Sequence, residues 1–280
     1  MEITARFAEL AIEAVRRVAV DEILPRYRRV AAIAKDDGSI VTEADLAAQD
    51  ALGVRLRALC AVPVLGEEMD PADQRAIHDR GGRYWCVDPL DGTKNFSSGV
   101  PFFAISVALV DDARPVFGTV YDPIADEAYH AVRGEGAALD GNRLVVPASG
   151  PPLALAVAEV SLRREIAKLR APLKHRKPYA RRLTSGSSAL SWCHLAGARI
   201  DVMLHGGQKM WDYAAGALIF EEAGGFAASV AHDDFWAAPP WSRSVIAARS
   251  APLLDEFRAW ILRELESDSG EDHGTTDEHR

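Results

Sequence analysis

Trp85-Cys86-Val87-Asp88-Pro89-Leu90-Asp91-Gly92-Thr93 reads as an apolar strand that runs into two aspartates and then turns. Proline removes a backbone donor, so normal strand pairing cannot continue through residue 89, and glycine lets the chain turn closely after Asp91. Both carboxylates are therefore held at a strand end. Taken alone, the pair is compatible with an ordinary Asp-rich turn. Its company is what changes the reading: Leu65-Gly66-Glu67-Glu68 closes another apolar run with acids, and Trp211-Asp212 opens a helix that ends at Glu222-Ala223-Gly224-Gly225. The glycines there supply a left-handed C-terminal position, and Asp212 by itself reads as a helix cap.

The rest of the chain has two textures. Ile3, Phe7, Leu10, Ala11, Ala14 and Val18 recur at spacings of three and four, one face of a helix that Pro25 should stop. After the polar connection Lys35-Asp36-Asp37-Gly38-Ser39, Thr42 followed by Asp45 has the form of a capping box, with Ala47, Ala51, Val54 and Ala58 as a second helical stripe. Short apolar runs over 62–65, 84–87, 103–109, 116–121 and 127–132, separated by Asp122-Pro123, Gly134 and Asp140-Gly141, predict a mostly antiparallel sheet. Beyond Ser149-Gly150-Pro151-Pro152 the elements alternate. Strands are expected over 153–160, 181–183 and 200–204, helices over 187–196 and 211–223, then two strands and a helix near Leu254. Alternation implies layers of sheet and helix, a mixed α/β (α+β) class. By texture the chain divides into residues 1–150, which carry most of the acids singled out above, an α/β part over 151–265, and a tail over 266–280 expected to be disordered.

A length of 280 residues, 48% apolar and 26% charged, admits a sizeable core and excludes a disordered chain, a collagen-like repeat and a disulfide miniprotein. Of the formal net charge of −9, the stretch from Glu264 to Arg280 holds seven acids and one base, leaving a body that is only weakly acidic. That body has no field to attract nucleic acid or a membrane surface. Cys60, Cys86 and Cys193 share no close spacing, so neither a disulfide framework nor a zinc site is suggested and a reduced compartment fits. Charged residues interrupt the first thirty positions and no apolar run nears 18 residues, so the expectation is a cytoplasmic protein without a signal peptide.

Gathering Glu67, Asp88, Asp91 and Asp212 without counter-ions is unfavourable, because two unit charges 4 Å apart repel by about 4 kcal/mol at an effective dielectric near 20. Divalent cations remove that penalty. All-oxygen ligation with a backbone carbonyl at an irregular turn suits Mg²⁺ or Mn²⁺ rather than zinc, and none of the eight histidines sits at a zinc spacing.

Gly66-Glu67-Glu68, Asp88-Pro89-Leu90-Asp91-Gly92-Thr93-Lys94-Asn95-Phe96, and Trp211-Asp212-Tyr213-Ala214-Ala215-Gly216 with Glu222-Ala223-Gly224-Gly225 resemble, in order and spacing, the inositol monophosphatase family of magnesium-dependent, lithium-sensitive phosphatases. The resemblance runs from about residue 5 to 260. It implies the layered αβαβα sugar-phosphatase fold, a homodimer, and two or three Mg²⁺ ions, with Mn²⁺ as a substitute. Glu67, Asp88 and the Leu90 carbonyl would bind one ion; Asp88, Asp91 and Asp212 a second; Glu67, with Asp45 beyond it through water, a third. Thr93, hydrogen-bonded toward Glu67, would orient and deprotonate the attacking water, so that a small polyol or sugar phosphate is cleaved by direct attack of a metal-activated water.

The same resemblance places the substrate against Asp91, Gly92, Thr93, Asp212, the helix start Ser185-Gly186-Ser187-Ser188, the strand end at His205 and Lys209, and Lys35, a loop lysine that would close over the site. Inositol-selective members carry a glutamate seven residues before the metal-binding aspartate; His205 stands there in this sequence. A neutral imidazole offers one acceptor where a carboxylate offers several, so inositol recognition is altered. Lys209 adds a cation that suits either a second anionic group or a neighbouring acid.

Other readings use the same residues. Histidinol phosphate, fructose 1,6-bisphosphate and 3′(2′),5′-bisphosphate nucleotides are substrates of family relatives, although Gly99-Val100-Pro101-Phe102 and Tyr121-Asp122-Pro123 look more like the inositol branch. An aspartyl-phosphate phosphatase would need one residue, not two, between Asp88 and Asp91. A regulatory binding protein on the same fold is the non-enzymatic alternative.

Overall fold

A computed structural model describes residues 3–35, 38 and 40–267, the side chains of 164 and 165 excepted. The first helix, α1 (Ala5–Val18), buries Phe7, Ala8, Ala11, Val15 and Val18 along one stripe, and the Thr4 hydroxyl accepts the Phe7 N–H at 3.2 Å. The helical path does not stop short of Pro25. It continues through a wide turn over Ala19–Ile23 and a tight one over Leu24–Arg26, where proline sits early enough that its missing N–H costs nothing. A short antiparallel ladder of β1 (Ile33–Ala34) and β2 (Ile40–Val41) leads to α2 (Glu43–Leu59). The capping box is present there: Thr42 N–H donates to Asp45 Oδ2 at 2.7 Å and Ala44 N–H to Thr42 Oγ1 at 3.2 Å.

Seven strands follow: β3 (Val64–Gly66), β4 (Arg83–Asp91), β5 (Ala104–Asp111), β6 (Arg114–Asp122), β7 (Glu127–Val132), β8 (Gly136–Leu139) and β9 (Asn142–Leu144), paired in sequence order. All neighbours are antiparallel except β3 and β4, which α3 (Pro71–Asp79) connects as a crossover. The short helix α4 (Thr93–Ser98) follows β4. In the second half, β10 (Val157–Ser161), α5 (Arg170–His175), β11 (Arg181–Leu183), α6 (Ser188–Ala196), β12 (Val202–Gln208), α7 (Met210–Glu222), β13 (Phe226–Ala228), β14 (Arg243–Ala248) and α8 (Ala251–Ser267) build a five-stranded sheet in the order β11-β10-β12-β14-β13.

Several boundaries differ from expectation; the strand read over 84–87 runs from Arg83 to Asp91. Leu153–Leu155 forms a single tight turn behind the proline pair, so that strand starts only at Val157, and the strand expected over 200–204 runs from Val202 to Gln208. Residues 266 and 267, read as the start of a tail, close α8; residues 268–280 of that tail lie outside the described residues.

Alternation of side chains along the strands explains the layering. In β4, Trp85 and Val87 join a core with α1 and α2, whereas Tyr84 and Cys86 join one with α6 and α7. In β14, Val245 and Ala247 face that same middle core, and Ile246 and Ala248 face Leu253, Phe257 and Ile261 of α8. The order of layers is therefore α1/α2, seven strands, α6/α7, five strands, α5/α8. α7 is buried nearly all round, as a helix between two sheets must be. It lies so close to β6 that a Cβ on Gly118 would sit 2.8 Å from Ala215 Cα.

Gly118→Val is accordingly expected to destabilise the fold by about 2 kcal/mol or more through overpacking against backbone. Urea unfolding measures this, and an unchanged midpoint would contradict the packing described.

Candidate active site

The β4–β5 ladder shows what the proline and glycine do. Asp88 pairs with Ser106 and Asp91 with Ala104, and the register shifts between them. Two residues of β4 thus lie outside regular pairing, Asp88 Oδ1 accepts Leu90 N–H at 3.0 Å, and Gly92 turns the chain at φ +96° into α4. A Cβ at Gly92 would also stand 3.1 Å from the Phe102 carbonyl, so glycine is required twice over. The Ser106 hydroxyl donates to the Trp211 carbonyl at 3.1 Å, which ties the first turn of α7 to the strand beside Asp88. By this route Asp212 reaches the cluster: one carboxylate oxygen from each of Asp88, Asp91 and Asp212 lies within 4.8 Å of the others.

Asp91 is gripped from the other side. Ser187 Oγ donates to Asp91 Oδ2 in a short hydrogen bond, Ala189 N–H donates to Oδ2 at 2.8 Å, and Ser188 N–H donates to Oδ1 at 3.2 Å. The N-terminus of α6, where Ser187 and Ser188 are expected to meet substrate, thus also orients a carboxylate. Exposed amides at a helix start favour an anion, and here the anion is the protein's own. Gly186 (φ +85°) approaches Asn95, whose amide donates to the carbonyls of Phe102 at 2.7 Å and Ser185 at 2.8 Å.

Thr93 corrects one expectation. Its hydroxyl lies 3.1 Å from Asp45 Oδ1 and 3.0 Å from the Leu90 carbonyl, not against Glu67. As the first residue of α4 it turns back onto the carbonyl three residues earlier, and the start of α2 brings Asp45 to the same spot. Asp45 is fully buried, its other oxygen taken by the backbone and hydroxyl of Thr42. Glu67 sits on the turn after β3, held by two glutamines that the sequence reading missed. Gln74 donates to the carbonyls of Gly66 at 2.8 Å and Glu67 at 3.2 Å, and Gln49 Oε1 accepts Glu68 N–H at 2.9 Å. The signal was present for Gln49: it lies four residues after Asp45, on the same face of α2.

Among the described residues, Asp45, Asp88, Asp91 and Asp212 form no ion pair. Burial first, then the charge of Glu67, raises Asp88 far above the ordinary carboxylate range. Burial and then Asp212 push Glu67 up to about 8; burial and then Asp91 push Asp212 up to about 7. Asp91 is raised by burial despite its hydrogen bonds from Ser187, Ala189 and Ser188. Burial also raises Asp45, against the hydrogen bonds from Thr42 and Thr93. Carboxylates in this state fit a hard divalent cation, because every donor is oxygen and a cation supplies the missing charge. The carbonyl of Leu90, beside Asp88, adds a neutral oxygen.

Glu67 and Asp212 open into a cleft of about 540 Å³ that Lys35, Arg75, Arg163 and Lys209 also line. Lys35 Nζ lies 2.6 Å from Glu68 Oε2, and that pairing outweighs burial to raise the lysine pKa. Lys209 gives its N–H to Asp212 Oδ2 at 2.8 Å. His205 is buried, and Gly207 N–H donates to its Nδ1 at 3.2 Å. The single acceptor of the neutral ring is thus already used. Burial and then Arg163 lower its pKa to about 3, so the ring is neutral and presents an Nε2–H donor. Arg163, in the segment between β10 and α5, was not among the residues singled out from the sequence. A larger groove, about 610 Å³ between α1 and β7–β8, lies apart from the carboxylate cluster.

The comparisons agree with this geometry. A family model described as the inositol monophosphatase family matches residues 4–267. Inositol monophosphatase 2 of Solanum lycopersicum is 33% identical over 262 residues, covering 90% of this chain and 96% of the tomato protein. Nus factor SuhB of Haemophilus influenzae is 39% identical over 180 residues, covering 61% of this chain and 64% of that protein. Among solved structures, an IMPase of Thermotoga maritima superposes with a TM-score of 0.79 at 27% identity, covering 94% of this chain and 98% of its own.

The raised carboxylates set a pH dependence for the metal-free protein. A carboxyl whose folded pKa exceeds its unfolded one favours the folded state in its protonated form, so its contribution is complete below about pH 4 and is lost as pH rises through 7 and 8. In chelator, the melting temperature is expected to fall between pH 6 and pH 8.5, and to fall less in Asp88→Asn. Parallel curves for the two proteins would contradict the electrostatic account.

Proposed function

The chain belongs to the inositol monophosphatase family of phosphoric monoester hydrolases, and on that premise we propose that it hydrolyses a small polyol or sugar phosphate in the manner of an inositol-1-monophosphatase. The convergence of Asp88, Asp91 and Asp212 within 4.8 Å, unpaired among the described residues, is the observation that carries this reading.

The family is metal-dependent, and Mg²⁺, with Mn²⁺ as substitute, suits the oxygen donors best. Glu67, Asp88 and the Leu90 carbonyl would hold one ion; Asp88, Asp91 and Asp212 another; Glu67, with Asp45 through water, a third. Bound divalent ions supply Lewis acidity for the phosphoryl group and lower the pKa of a coordinated water. The remaining work falls to the chain. Asp91 is held by the start of α6, and Asp212 by Lys209 N–H and the anchored first turn of α7. Thr93 shares its hydroxyl between Asp45 and the Leu90 carbonyl, and from there it can orient the attacking water, with Asp45 as the adjoining proton acceptor. The turn at Gly92 and Thr93 offers backbone N–H groups to the phosphate, and Lys35 flanks the cleft beside Glu67. His205 and Lys209 replace a carboxylate rim with hydrogen-bond donors.

Lithium sensitivity, a homodimer and a cytoplasmic location complete the proposal. No helix among the described residues is long and apolar enough to cross a membrane, and Cys60, Cys86 and Cys193 are buried free thiols. The Nus factor name of the Haemophilus relative favours a second reading, a regulatory binding role beside catalysis.

Asp212→Asn is expected to lower kcat/KM with Mg²⁺ by on the order of a hundredfold or more while leaving the fold intact by circular dichroism; undiminished turnover at saturating Mg²⁺ contradicts the assignment. On inositol 1-phosphate, His205→Glu is expected to improve KM by restoring acceptors for ring hydroxyls. An equal or worse KM would show that residue 205 does not read the ring.

A further inference from the structure

Arg163 stands between two sets of donors at the end of β12, His205 and Gln208 in a small pocket and Lys209 in the large cleft. A pocket of about 80 Å³ is lined by Arg163, His205 and Gln208, together with Glu159 and the serines at the start of α6, and Arg163 also lines the large cleft that holds Asp212 and Glu67. The chain brings Arg163 there by close packing: a Cβ on Gly206 would stand 2.8 Å from Arg163 N and 2.6 Å from Ile166 Cγ1, so only glycine lets the two segments meet. Arg163 is exposed, and neither it nor Lys209 has an acid partner among the described residues, whereas Lys35 is committed to Glu68.

Three further observations point the same way. Gln208 is 0% exposed, and its Oε1 accepts Trp192 Nε1–H at 3.0 Å, which fixes the amide so that Nε2 is a buried donor without a partner. A buried donor left unsatisfied costs about 1–3 kcal/mol, and an acceptor on a ligand removes that cost. His205 gives its acceptor to Gly207, which leaves Nε2–H as the donor of a ring that lines the small pocket. The one acid in the small pocket, Glu159, already takes Ser185 N–H at 2.8 Å. Arg163 and Lys209 act electrostatically on Asp212; once bound cations neutralise that acid, both are free to meet an anionic group of the substrate.

We propose that Arg163, with Lys209, Gln208 and His205, binds a second anionic group on the leaving-group side of the substrate, so that the preferred ester is a phosphate monoester that also carries a carboxylate or a second phosphate. The inference rests on the phosphatase reading and narrows it. A guanidinium meets either anion with a two-pronged, charge-assisted hydrogen bond, whereas a glutamate at position 205 would repel both.

The test is steady-state kinetics with Mg²⁺ on inositol 1-phosphate and glycerol 2-phosphate as singly esterified, otherwise uncharged compounds, on 2-phosphoglycerate for the carboxylate arm, and on fructose 1,6-bisphosphate for the phosphate arm. At least one doubly anionic ester is expected to exceed both uncharged ones about tenfold in kcat/KM, mainly through KM. Arg163→Gln should reduce that preference about tenfold, and Arg163→Lys should keep part of it. A wild-type preference for the uncharged esters, or an Arg163→Gln loss equal on all four, overturns the inference while leaving the phosphatase reading in place. Turnover of none of them overturns the phosphatase reading and the inference together.

Discussion

The structure depends on a repulsion that no ion pair to its aspartates relieves among the described residues. Three aspartates from β4 and the first turn of α7 converge within 4.8 Å, Glu67 on the turn after β3 adds its charge to theirs, and no lysine or arginine is paired to the three aspartates among the described residues. Everything nearby serves to hold them against that repulsion. The serine and amides at the start of α6 grip Asp91, the Ser106 hydroxyl pins the first turn of α7, and Gln49 and Gln74 fix the turn that carries Glu67. The hydrogen bonds to Asp91, made to a carboxylate, are worth about 1.5–3 kcal/mol each, more than the neutral bonds of Ser106, Gln49 and Gln74.

The five layers provide the leverage for this arrangement. A site assembled from a strand end, a crossover turn and two helix starts needs those ends to meet, and they meet because α6 and α7 are sandwiched between both sheets. Gly118 and Gly216 let α7 sink onto β6 and α6, where a side chain at either place would strike Ala215 or Trp192. Small residues in the middle layer are thus part of the chemistry, although they lie far from the substrate. The same rule holds at the rim, where Gly206 brings Arg163 within reach of the cleft.

What was legible in the sequence was mostly local. Asp88 and Asp91 stand out because Pro89 and Gly92 interrupt a strand within a few residues, and Asp45 because a capping box is a four-residue pattern. The two textures on either side of residue 150 correspond to a largely antiparallel sheet and an alternating one, while the merging of their cores through α6 and α7 has no local signature. The partner of Thr93 could not be read, since it depends on how near the start of α2 lies to the end of β4. Nor could the use of Ser187 to hold Asp91, where sequence suggested a contact with substrate, because both roles use the same exposed helix start. Arg163 was invisible for a similar reason: its importance comes from a crossing with Gly206 more than forty positions away.

Calorimetric titration of the chelator-treated protein with Mn²⁺ at pH 7.5 tests most directly whether these carboxylates are a cation site. The account predicts saturable binding of at least two ions per chain, accompanied by proton release as Glu67 and Asp212 give up their protons. An absence of saturable heat, or binding with no proton uptake by the buffer, would contradict it.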